Sequence, residues 1–173
     1  MPSDIAFRGY QPTDRDACLA LFDANCPAFF AANERADYID FLATAPGSYE
    51  LCLIDRQVAG AYGLEAHASG GLALRWILLS PNVHGRGVGS RIMARVLDSL
   101  RTSRMPQLHI AASHKSAPFF AKFGAREVAR VADGFGPAMH RVDMILVAGE
   151  TADRPARGTS PSTERCKDEE LPK

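Results

Sequence analysis

No stretch of this chain approaches the roughly 20 consecutive apolar residues that a bilayer-spanning helix requires, so no membrane association is expected. The N-terminus carries Asp4 and Arg8 beside a short apolar group and lacks the long apolar core of a secretion signal, which leads to the expectation of a cytoplasmic protein. An excess of either charge is missing as well. The 20 Lys and Arg residues balance the 20 Asp and Glu residues, and a neutral chain is a poor neutraliser of phosphates, so nucleic acid is not an expected partner. Paired cysteine spacing is absent too. Cys18, Cys26, Cys52 and Cys166 are scattered, and no His/Cys cluster has the intervals of a zinc site, so they read as free thiols and no metal is expected.

At 173 residues with 46% hydrophobic side chains, the chain is long enough to bury one substantial core. From Gly149 the composition turns to proline, serine, threonine and mixed charge, with Leu171 almost the only large apolar residue. Such a segment cannot bury a core, so we expect one domain over residues 1–148 and a disordered tail over 149–173. Along the domain, Ile5 to Tyr10 suggests a strand, Thr13 a helix cap, and Cys18, Leu21, Phe22 and Cys26 a helical face ended by Pro27. Glu34 to Leu42 reads as a second helix. Tyr49 to Ile54 and Val58 to Ala66 read as a hairpin, and Leu72 to Leu79 as a strand buried on both faces. Val88, Ile92, Val96 and Leu100 then form one apolar helical stripe, with Arg91, Arg95 and Arg101 facing elsewhere. Gln107 to Ala112 reads as a strand, Ser116 to Phe123 as a short helix, and Glu127 to Val131 with Met139 to Val147 as a closing pair around a loop at Asp133 to Pro137.

The most informative stretch lies between the fourth strand and the long helix: His84-Gly85-Arg86-Gly87-Val88-Gly89-Ser90. Glycines let the backbone approach an anion without Cβ obstruction, and the unpaired N–H groups at the start of a helix point at it. The loop is neither a Walker loop, since no lysine follows Gly89, nor a dinucleotide fingerprint, since the third glycine comes one position early.

The loop instead resembles the Gln/Arg-x-x-Gly-x-Gly/Ala pyrophosphate loop of the GNAT N-acetyltransferase superfamily, with His84 where glutamine or arginine is usual. The order of elements from residue 5 to 147 is similar to that of the same family. Ser113 to Ala125 partially matches its second segment, Asn-x-x-Ala-x-x-Leu/Phe-Tyr-x-Lys-x-Gly-Phe, through Phe119, Lys122 and Gly124. Ser113 replaces the asparagine, and Phe120 replaces the tyrosine whose hydroxyl in relatives often protonates the departing thiolate.

The resemblance implies an α/β fold, the GNAT acyl-CoA N-acyltransferase fold, with a mixed central sheet flanked by helices. It implies acetyl-CoA as cosubstrate and direct attack of an amine on the thioester. The main chain of Gly85, Arg86, Gly87, Val88, Gly89 and Ser90 would hold the pyrophosphate. Ile77, Leu78 and Leu79 would run beside pantetheine, and Ser113 would stand in for the pantetheine-contacting asparagine. For the base that deprotonates the amine, Glu65 is the first choice, with Glu34, His67 and His109 as competitors. Phe29, Phe30, Glu34, Tyr38, Trp76 and the Asp133–Pro137 loop fall where relatives bind the acceptor, and a small amine or amino-acid-like molecule is expected. A noncatalytic acyl-CoA-binding sensor on the same fold stays open because Phe120 has no hydroxyl, and so does a nucleotide-binding protein of another fold. The oligomeric state stays open too, a homodimer included.

Overall fold

The computed structural model describes residues 4–44 and 47–149. The segment expected to be a disordered tail therefore lies, from residue 150 onward, outside the described residues.

Seven strands form one sheet. In chain order they are β1 (Ile5–Gly9), β2 (Tyr49–Ile54), β3 (Gln57–Ala66), β4 (Leu72–Leu79), β5 (Gln107–Ser113), β6 (Arg126–Gly136) and β7 (Met139–Val147). The helices are α1 (Arg15–Asn25), α2 (Glu34–Ala43), α3 (Val88–Thr102) and α4 (Ala117–Ala121). The spatial order is β1-β2-β3-β4-β5-β7-β6, and all neighbours are antiparallel except β4 and β5. That parallel pair needs a crossover, and α3 supplies it.

Local chemistry accounts for most boundaries. Asp55 and Arg56 both adopt positive φ between β2 and β3, the two-residue geometry whose twist matches antiparallel strands. Thr13, expected to cap α1, sits within a 3₁₀ turn at Pro12–Asp14 instead. Asp14 takes over there, accepting the Gln11 N–H at 2.9 Å and two bonds from the Arg8 guanidinium at 2.7 and 2.8 Å. α4 is shorter than its apolar pattern suggested. The expected Asp133–Pro137 loop is mostly strand, because β6 continues to Gly136 and absorbs extra residues in a bulge opposite Met139–Arg141.

The sheet has a core on each face. Under α3, the stripe predicted from the sequence is fully engaged: Ile92, Val96 and Leu100 are buried with Leu108, Val142 and Met144 of the sheet. Each such side chain contributes about 1.5–3 kcal/mol of burial. Under α1 and α2 the second core is largely aromatic, built on Phe22, Tyr38 and Tyr49 with Leu51 and Leu78.

The strand expected to be buried on both faces is not. In β4 only Leu74 and Leu78 are buried, Arg75 is exposed, and the others are half-buried. The reason is pairing: β4 meets β5 only over Leu72–Leu74 against Leu108–Ile110, so its C-terminal half has no neighbour on that side.

Candidate functional site

The parting of β4 from β5 makes a cleft in the middle of the sheet, and a bulge sharpens it. Ala61 faces Leu78 and Gly63 faces Arg75, so Trp76 and Ile77 together oppose the single residue Tyr62. An extra residue of this kind bends the strand and leaves backbone groups unpaired. Trp76 takes a φ of +44° to make the bend, a conformation that costs a large side chain about 1–3 kcal/mol. The aromatic core holds it there. The Tyr49 hydroxyl donates to the Trp76 carbonyl at 3.1 Å and lies 2.8 Å from the Tyr38 hydroxyl, while the indole packs 5.0 Å from the Tyr38 ring.

One end of the cleft opens onto the glycine loop. Gly85 and Gly87 have φ of +73° and +79°, and a Cβ on either would meet nothing within 4 Å. Their glycines thus serve a left-handed backbone beside open space. Gly89 differs: it lets the Phe119 ring approach to 3.1 Å of where its Cβ would be, locking α4 against α3. No side chain caps α3 at Gly87, which leaves the first N–H groups of the helix without an intramolecular acceptor. A cavity of about 450 Å³ lies over this corner, walled by Gly85, Gly87, Gly89 and Ser90 and by Lys115 and Lys122 from the α4 side. His84 closes its rim, with Nε2 3.1 Å from the Leu79 carbonyl and its ring edge-on to Phe29 at 5.5 Å. Asn25 bonds the same carbonyl at 3.0 Å, tying the end of α1 to the end of β4.

Beyond the bulge is a smaller cavity of about 200 Å³, with Phe29, Phe30, Trp76 and Phe135 as aromatic walls and Glu34 and Arg75 as its charged groups. The two cavities share Phe29, Ile77, Ser116 and Phe120. Glu34 is only 7% exposed, and this burial pushes its pKa up to about 7 against the pull of the Ala31 N–H, which donates to Oε2 at 2.7 Å. Asn33 donates to the Phe135 carbonyl at 2.9 Å, drawing the β6–β7 hairpin over the α2 side of this cavity.

The sequence model of the Acetyltransferase (GNAT) family matches residues 18–125, more than half of the chain. The chain belongs to this family. Solved structures agree on the fold: Ard1 from Thermoplasma volcanium aligns at 15% identity and a TM-score of 0.70 over 83% of this chain and 97% of its own. The ribosomal-protein-S18-alanine N-acetyltransferase from Escherichia coli aligns at 14% and 0.68, over 88% and 99%. YncA from Salmonella typhimurium, solved with its cofactor acetyl-CoA, aligns at 14% and 0.64, over 89% and 99%. No curated protein sequence matches the chain.

Within this GNAT domain the residues singled out from sequence fall in different places. Gly85, Gly87, Gly89, Ser90, Ile77 and Leu79 wall the larger cavity. Val88 and Leu78 are buried and line neither cavity. Ser113 lines the smaller cavity, buried, with its hydroxyl 3.0 Å from that of Ser116. Arg86 and Arg91 are exposed and line neither cavity. Glu65 also lies outside both: it stands opposite Ala73 near the end of β3, with Oε2 3.6 Å from Arg75 Nε. It pairs with the part of β4 that is still joined to β5, before the cleft opens. His67 and His109 stack on each other at 3.6 Å, and neither lines a cavity. Asn25, Lys115 and the lining role of Phe119 escaped the sequence reading. Lys122 was visible as a matched motif position, without a role.

Proposed function

We propose that the protein is an acetyl-CoA-dependent N-acetyltransferase acting on a small amine or amino-acid-like acceptor. The observation that carries this reading is the union of two cavities at one wall, one ending on open glycine main chain and the other on a buried carboxyl group. The larger cavity fits coenzyme A in chemistry: unpaired helix N–H groups and open space at Gly85 and Gly87 suit a diphosphate, and Lys115 and Lys122 add positive charge beside it. When bound, acetyl-CoA supplies a thioester whose carbonyl carbon forms a bond to the amine nitrogen as the carbon–sulfur bond breaks.

The residues of the chain supply position and protons. Main-chain N–H groups of Val88, Gly89 and Ser90 grip the anion, and the unpaired half of β4 beside Ile77 lies along the acyl arm. Unpaired backbone donors at the bulge face the developing oxyanion. Glu34, rather than Glu65, takes the proton from the acceptor ammonium, since it lies in the acceptor cavity with a pKa of about 7, close to working pH. The departing thiolate, of ordinary pKa about 8.5, needs little help and gains its proton from water or through the Ser116 hydroxyl at the shared wall. Phe120, 2% exposed, fills the position as packing.

Calorimetry with coenzyme A, ATP and NAD, together with thiol release from acetyl-CoA across an amine panel, tests the reading. Coenzyme A should bind and the two nucleotides should not, and release should depend on the acceptor. Binding without acceptor-dependent release would favour an acyl-CoA sensor. Gly87→Glu places a bulky anion where the diphosphate sits and should abolish coenzyme A binding with the far-UV circular dichroism unchanged; retained affinity would remove the loop from the proposal.

A further inference from the structure

The small cavity carries two opposite charges at different depths. Glu34 is buried at the start of α2, whereas Arg75 stands at the rim on β4, two residues before Ile77, with a half-exposed side chain. A guanidinium is a fork of five donors suited to a carboxylate. Here that fork is barely used. Among the described residues its one ionic partner is Glu65, and that contact, Nε to Oε2 at 3.6 Å, is too long for a hydrogen bond. Between the two charges the walls are the aromatic rings of Phe29, Phe30, Trp76 and Phe135. The volume of about 200 Å³ falls below the roughly 300–1,000 Å³ of sites for drug-sized ligands.

We infer that the acceptor is a free α-amino acid with an apolar side chain, its ammonium group directed to Glu34, its carboxylate held by Arg75 and its side chain set among the aromatic rings. This deepens the acetyltransferase reading and rests on it. An ammonium group alone would find Glu34 and the aromatic faces, but Arg75 at the rim would then repel it. A molecule with both charges matches both groups, and the small volume suits one amino-acid side chain between them. Glu65 becomes a positioning residue in this arrangement. Lying beside Nε of Arg75, it orients the guanidinium while leaving the Nη groups free to face a carboxylate.

Matched pairs that differ only in the carboxylate test this: leucine against isoamylamine, and phenylalanine against phenethylamine. With the full chain and acetyl-CoA, the amino acid of each pair should show kcat/KM about 10- to 100-fold above that of its amine, the range expected for hydrogen bonds to a charged group. Arg75→Gln should bring that ratio close to one, chiefly through a higher KM for the amino acid. Arg75→Lys, which keeps the charge but not the fork, should restore part of it. Glu65→Gln should raise the amino acid KM a few-fold without moving the pH profile of kcat. Direct calorimetry of phenylalanine with the coenzyme A-loaded chain gives a second readout that needs no turnover. An amine preferred over its amino acid, or a preference that survives Arg75→Gln, would overturn the inference while leaving an N-acetyltransferase standing. Arg75-dependent phenylalanine binding without turnover of any amine would leave an amino-acid-binding site but defeat the enzyme and, with it, the acceptor role inferred here; absence of both turnover and binding would defeat the site as well.

Discussion

Glu34, the proposed base, is buried at a cost in stability. Its folded pKa of about 7 lies above the ordinary carboxylate value of 4.5, so between those values the native chain holds a proton that the unfolded chain has released. Stability linked to this group is therefore full below about pH 4.5, falls as the pH rises toward 7, and stays reduced above it by at most about 3 kcal/mol. Glu34→Gln keeps an oxygen for the Ala31 N–H and removes the penalty. Urea unfolding at pH 8 should show a more stable variant, while at pH 4.5 the two proteins should coincide. In the same variant kcat should drop about 100- to 10,000-fold, and the wild-type profile should rise with a midpoint near pH 7. Tyr49 makes the opposite contribution. Tyr49→Phe leaves the Trp76 carbonyl and the Tyr38 hydroxyl each short of a partner and should cost about 1–3 kcal/mol, read as a lower denaturation midpoint.

At the scale of elements, the glycine-rich corner was legible from the sequence because it depends on local conformation. Alternating glycines ahead of an amphipathic helix specify a left-handed backbone wherever the chain goes, and Gly85 and Gly87 adopt it. Gly89 was legible only as part of the motif. Its actual task, admitting the Phe119 ring, involves α4, some 30 residues away, and no local pattern records that contact. Gly89→Ala should accordingly act through packing: α4 shifts, thermal stability falls by about 1–3 kcal/mol, and coenzyme A still binds, more weakly. The misread burial of β4 has the same origin. Its apolar run correctly signals a central strand, but only the partial pairing with β5 turns half of that strand into a cleft wall. Glu65 was the first choice of base because relatives often carry a carboxylate in that part of the sheet; of the carboxylates weighed, the fold places Glu34 in the smaller cavity and Glu65 outside it, and the proposed role moves accordingly.

Across the whole molecule, the smaller cavity draws on α2, β4, β5 and the β6–β7 hairpin, and the Asn33–Phe135 bond ties the hairpin to α2. Asn33→Ala should loosen that wall. The expected outcome is a several-fold higher acceptor KM with the coenzyme A dissociation constant unchanged, since the larger cavity uses neither residue. Among the described residues no helix is long and apolar enough to cross a membrane, in keeping with the short apolar runs of the chain.

The linear order of residues was enough to determine most of the strand and helix pattern, the family and the left-handed glycine corner ahead of α3, because hydrophobic period, turn chemistry and glycine spacing act over a few positions. The burial of Glu34, its placement with Arg75 in one cavity and the cleft beside β4 were decided by tertiary structure. A carboxyl is raised toward neutral pH when residues distant in sequence bury it, and a strand edge opens into a cleft where its neighbour departs.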